Sequence, residues 1–150
     1  MTRRVSLAIT VMILALTGCT ATGPLRERAR GLESPSADVR RESANELRTT
    51  RVRDAELRGQ LVRKLSVMAQ SDPEPLVRSA ALMALTRQDT ATAVDLARRM
   101  RTDADAMVRW DAVKVMASFG GAEMVPALIE VAANDADEAV SYTHLRAHET

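Results

Sequence analysis

Four groups of residues in this sequence are of a type and spacing that could do chemistry. Cys19 is the only cysteine and closes the run Leu16-Thr17-Gly18-Cys19. It has no partner for an intrachain disulfide, so a lone thiol there asks for another role. His144 and His148 stand four residues apart, the spacing that sets two imidazoles on one helix face for zinc. Asp and Arg recur six apart, as Asp72 with Arg78 and Asp103 with Arg109. A guanidinium grips a carboxylate or a phosphate through two parallel hydrogen bonds. Arg63-Lys64 and Arg98-Arg99 are basic pairs on predicted helices. Carboxylate pairs occur as on any charged helix, but none falls in an apolar setting, so no acid–base pair and no catalytic residue is assigned.

The elements that must position these residues repeat. Ser34, Asp72, Asp103 and Asp135 start successive units 38, 31 and 32 residues apart. Five residues after each start comes Val39, Val77, Val108 and Val140, and Arg40, Arg78 and Arg109 follow the first three. A period of this size marks a solenoid, in which each unit buries its apolar face against its neighbours. Ser34-Pro35 and Asp72-Pro73-Glu74-Pro75 read as N-caps with proline in the first turn. The first helices then carry Val39, Ser43 and Leu47 inward and run on to about Arg87 and Phe119 in the second and third units. Second helices are predicted over about 54–70, 90–101 and 122–133, with Leu57, Leu61, Leu65 and Met68 on one face of the first. Gly120-Gly121 supplies a left-handed C-cap. Phe119 reads as an apolar plug at a helix end, Trp110 as a partly buried packing residue, and Met68, Met83, Met100, Met107, Met116 and Met124 as deformable core. No segment alternates as a strand does, so the fold class is all-α, with about three helical hairpins and a fourth cut off at its start.

The two ends read differently from the middle. Arg3 and Arg4 precede a largely apolar stretch of twelve residues, Val5 to Leu16, shorter than the roughly 20 needed to span a bilayer. With Leu16-Thr17-Gly18-Cys19 after it, this start resembles a bacterial lipoprotein signal. The resemblance implies cleavage after residue 18, acylation of Cys19, and a tether over 19–33. Thr20 after the Cys, in place of Asp, implies the outer membrane in a two-membrane cell. At the other end, residues 140–150 depart from the repeat and resemble a translated transposase-type sequencing adapter, with native sequence ending near Ala139. His144 and His148 fall in that segment, so the zinc reading is rejected and no metal site is assigned. The 19–139 stretch then has no His, which excludes a His-based triad or a Cys–His nucleophile. A truncated array also leads us to expect an exposed apolar end around Val125, Leu128 and Val131.

Composition narrows the class further. Only 2% of residues are aromatic, too few for the stacking platforms of single-stranded nucleic-acid binding. Residues 26–101 carry 16 basic and 11 acidic side chains, net +5, and residues 102–139 carry 2 and 8, net −6. Solvated Arg and Glu on helix backs account for most of this charge.

Residues Gly120, Val125-Pro126-Ala127-Leu128-Ile129-Glu130, Asp135 and Val140 closely resemble a HEAT-like repeat of the phycobilisome-lyase type. The resemblance covers 34–139. It implies an α–α superhelix, with Asp72/Arg78 and Asp103/Arg109 as the Asp–Arg ladder and with Ser34 weakening it in the first unit. It places the second helices, and so Arg63, Lys64, Arg98 and Arg99, on the concave face as a possible contact surface. Tetratricopeptide repeats are the structural rival, but their Trp, Gly and Tyr signature positions are not filled. The expected function is a lipid-anchored, non-enzymatic scaffold at the cell envelope that holds another protein. It needs no cofactor, binds no nucleic acid, and meets the membrane through acylated Cys19. The alternatives are a docking arm for an enzyme domain beyond Ala139 and, as a minor reading, a bilin-lyase-like activity.

Overall fold

The computed structural model describes residues 23–137 and 140, and all regular structure among them is helical. Seven α-helices follow in order: α1 (Gly23–Gly31), α2 (Ala37–Thr49), α3 (Ala55–Ser71), α4 (Pro75–Gln88), α5 (Thr90–Met100), α6 (Ala106–Phe119) and α7 (Val125–Asn134). A single 3₁₀ turn, Ala122–Met124, leads into α7. In chain order the units are α2 and α3, α4 and α5, and α6 and α7; within units, α4 packs on α5 and α6 on α7. First helices stack side by side, α2 on α4 and α4 on α6, while α3 packs on α4 and α5 on α6. This is the all-α superhelix of three helical hairpins read from the repeat.

The centre of the stack is α4. A helix touched by neighbours on both sides cannot keep a polar face, and α4 buries Val77, Ala80, Ala81, Leu82, Ala84 and Leu85. Its alanines let the flanking backbones approach. Leu82 and Leu85, fully buried, each contribute about 2 kcal/mol of transfer free energy. Val77, Val108 and Val140 occupy the same buried register position in successive units. Val39 does not: it was expected to point inward and is 46% exposed. Val77 and Val108 each sit against the first helix of a preceding unit, and Val39 has only the short α1 beside it.

Other expectations are corrected by the structure. First helices begin at Ala37, Pro75 and Ala106, three residues after Ser34, Asp72 and Asp103. Those residues form turns instead. Their side-chain oxygens accept from the backbone N–H two residues on, at Ser36 (3.2 Å), Glu74 (3.0 Å) and Asp105 (2.9 Å), and Asp135 does the same with Asp137 (2.9 Å). Pro73 also forces the residue before it out of the helical region, and Asp72 is extended with ψ 134°. The N-cap of α6 is Asp105, which accepts from Met107 and Val108. Met107 and Phe119 are exposed, not core. Leu128 and Val131 are buried, so the apolar end shows Ile129 in their place. Part of the expected tether is helix α1, docked through buried Leu32 and partly buried Leu25 and Ala29. Its Gly31 lies so close to α2 that a Cβ would sit 2.0 Å from Ser43 Oγ.

Gly120 keeps a right-handed conformation, and Gly121 makes the turn with φ 70° and ψ −173°. Only glycine adopts that region without strain. A Cβ there would also meet a Glu123 carboxylate oxygen at 2.9 Å. Gly121→Ala should therefore cost about 2 kcal/mol of stability in urea denaturation. An unchanged midpoint would mean that the turn adopts another conformation.

Candidate functional site

Because each hairpin turns back on itself, the solenoid has two edges. One holds the corners between units, 34–36, 72–74, 103–105 and 135–137. The other holds the turns within units, 50–54, 88–90 and 119–122.

The corner edge carries the Asp–Arg residues, in a register the sequence reading did not anticipate. Each Arg reaches forward to the Asp of the next unit. Arg40 donates from Nε and Nη2 to Asp72 at 2.7 and 2.9 Å. Arg78 donates to Asp103 at 2.9 and 2.7 Å, and Arg109 to Asp135 at 2.8 and 2.8 Å. Within its own unit each Arg donates from Nη1 to the backbone carbonyl of the corner residue, Ser34, Asp72 or Asp103, at 2.9, 2.9 and 3.0 Å. The six-residue spacing thus brings Arg78 to the carbonyl of Asp72, not to its carboxylate. Arg40 and Asp135, absent from the expected ladder, form its two outer rungs. Ser34 does not weaken a rung: it keeps the turn, and no Arg among the described residues reaches its side chain.

All three carboxyls are held below the ordinary aspartate range. At Asp72 and Asp103, burial works the other way. It is outweighed by the hydrogen bonds from Arg40 and Arg78, the backbone N–H groups of Glu74 and Asp105, and the nearby positive charge. At Asp135 the Arg109 hydrogen bond is the largest influence, against a smaller opposing effect of burial. With each guanidinium holding a carboxylate of the next unit and a carbonyl of its own, this edge is built for cohesion.

The basic pairs expected to contact a partner are mostly engaged locally. Lys64 pairs with Glu33 at 2.6 Å, and Arg98 and Arg99 share Asp95. Arg63 is exposed, with no ion pair among the described residues.

The turn edge is different. Gln88, 3% exposed, donates to the carbonyls of Leu47 (2.8 Å) and Thr50 (2.7 Å) and accepts from the N–H of Val52 (3.1 Å). It fastens the 50–54 turn of the first unit to the second. Arg58 donates to the carbonyl of Val52 at 3.2 Å. Arg51, Arg58 and Arg87 then line one hollow of about 470 Å³, with Phe119 at its rim. Phe119 also walls an adjoining cleft of about 490 Å³ over Val94 and Met124, into which Arg98 projects. Sequence reading missed Gln88 and the three arginines. They come from a turn, a second helix and a first helix, and no short motif links them.

Among the described residues, no cluster of three His, Cys, Asp or Glu side chains is placed to hold a metal. No helix among them is long and apolar enough to cross a membrane. Cys19, the signal segment 1–18, His144 and His148 lie outside the described residues.

Stacked hairpins with a forward-reaching Arg–Asp ladder define a helical-repeat protein of the solenoid class. The profile of HEAT repeats matches residues 62–147, and the chain belongs to that family. The match runs past residue 140, where the sequence reading sets its boundary. No curated protein and no solved structure matches the chain. HEAT repeats of this kind suggest a protein-binding scaffold.

Proposed function

We propose that the protein is a lipid-anchored HEAT-repeat scaffold that holds another protein at the cell envelope, by binding and not by catalysis. The observation that supports the binding half is the contrast between the two edges. The corner edge has spent its charges on itself, while the turn edge presents basic and aromatic side chains to solvent across three units. The anchoring half rests on the sequence alone, on Arg3-Arg4, the apolar run and Cys19. Two or more acyl chains at Cys19 hold a protein stably in a bilayer, where a single chain does so only marginally. With Thr20 next, the reading places it on the periplasmic face of the outer membrane in a two-membrane bacterium.

The test is metabolic labelling with an alkyne fatty acid, followed by fractionation. The wild-type chain should be labelled and sediment with membranes. Cys19→Ser should lose the label and the lipoprotein-type cleavage. Undiminished labelling of the Ser variant would remove the anchor from the reading.

A further inference from the structure

We infer that the hollow and the cleft on the turn edge form one peptide-binding groove, which takes an extended segment carrying acidic side chains beside bulky apolar ones. The inference rests on the protein-binding half of the proposed function and is independent of the anchor.

The first ground is unbalanced charge. Ten of the eighteen basic side chains among the described residues have an acid within ion-pair distance, Arg40, Arg78 and Arg109 among them; of the eight that do not, three share one hollow. Arg51, Arg58 and Arg87 line one hollow, and none has an ion pair among the described residues. Asp89 is the one acid in the lining, and its carboxylate caps α5 by accepting from the N–H of Thr92 at 3.2 Å. Three cations gathered around one carboxylate leave the hollow with a net positive charge, and an anion entering it relieves their mutual repulsion. Guanidiniums suit the task because each offers a planar fork to a carboxylate.

The second ground is that the hollow is pre-shaped. Gln88 fixes the turn that carries Arg51, and the Val52 carbonyl holds Arg58. Less side-chain freedom is then lost on binding than on an open surface.

The third ground selects the ligand. Phe119, 52% exposed, walls both compartments, and Thr90 lines both. The compartment beyond it is lined by Val94 and Met124, with Asp95, Arg98 and Glu123 also in its wall. A lone phosphate or a lipid headgroup would use only the arginine end. A peptide with acidic residues followed by leucines fills both, its carboxylates on the arginines and its apolar side chains against Phe119 and Met124.

The experiment is fluorescence anisotropy with the full chain and a fluorescein-labelled Ser-Glu-Glu-Leu-Leu-Ser peptide. A Gln-Gln counterpart tests the charge, and an Ala-Ala counterpart of the leucine pair tests the apolar cleft. The Glu-Leu peptide should bind about tenfold more tightly than either. Arg51→Gln and Arg87→Gln should each lose about tenfold in affinity with melting unchanged, because both side chains are exposed. Arg87→Lys, which keeps the charge and loses the fork, should fall between. Phe119→Ala should erase the leucine preference, and Arg30→Gln should change nothing. Equal binding of all three peptides, or wild-type affinity in both Gln variants, would overturn the inference. So would displacement of the peptide by inorganic phosphate or phosphatidylglycerol vesicles together with indifference to the leucines, which marks an oxyanion site only. Loss of lipid labelling in Cys19→Ser leaves these outcomes untouched, and failure to bind peptide leaves the anchor untouched.

Discussion

Gln88→Leu is expected to destabilise the array by about 3 kcal/mol. The side chain is buried and satisfies three backbone groups of a neighbouring unit, the carbonyls of Leu47 and Thr50 and the N–H of Val52. The two carbonyls belong to the C-terminal end of α2, where a helix leaves its last acceptors unpaired. Leu fits the space but offers them nothing, and each buried group left unsatisfied costs about 1–3 kcal/mol. Thr50 is partly exposed and recovers water, which keeps the total nearer the lower sum. At roughly 4 °C per kcal/mol for a domain of this size, the melting temperature should fall by about 10 °C. Gln88→Glu should cost at least as much at pH 7, since a buried carboxylate would face two carbonyl oxygens to which it donates only when protonated. A Leu variant as stable as the wild type would show that water already serves this turn.

The ladder should make the protein acid-sensitive in a defined window. Asp72, Asp103 and Asp135 all have carboxyls lowered in the folded state. A lowered folded pKa contributes stability that is fully present above the unfolded value of about 3.9 and is lost as pH falls through the folded value. The melting temperature should therefore be nearly level from pH 7 to about pH 5 and fall steeply below about pH 4. Asp103→Asn removes one carboxylate from the titration. It leaves Arg78, whose side chain is 13% exposed, facing a neutral amide where two hydrogen bonds to a carboxylate had been. At pH 7 the variant should be about 3 kcal/mol less stable, the range for removing one partner of a largely buried pair. As pH falls through the lowered folded value of Asp103, the two melting curves should converge. Parallel curves at all pH values would mean that the rung does not titrate with folding.

Much of the fold was legible because it is periodic. The spacing of Leu61, Leu65 and Met68 fixes a helix from local information alone. The valines at 77, 108 and 140 recur where each unit meets the one before. What was not legible depends on neighbours. Val39 has the same residue type and register as Val77, yet it is exposed because burial there comes from the preceding unit. Asp72 and Arg78 look like partners because they are six apart in the chain. Their actual partners, Arg40 and Asp103, lie 32 and 25 residues away. The arginines of the turn edge share no period at all. Ser34 was read as a weak Asp, though its turn needs only one acceptor oxygen.

The forward reach of each arginine gives the solenoid a polarity. A unit presents a cation to its successor and a carboxylate to its predecessor, like a bead with a hook on one side and an eye on the other. Such beads join head to tail in one direction only, and any bead can follow any other. An internal unit could then be duplicated or deleted in the gene and the ladder would close up again in register, because its rung is the same at each of the three corners. The number of units is free to vary by recombination, while what the turn edge grips depends on which three happen to stand together.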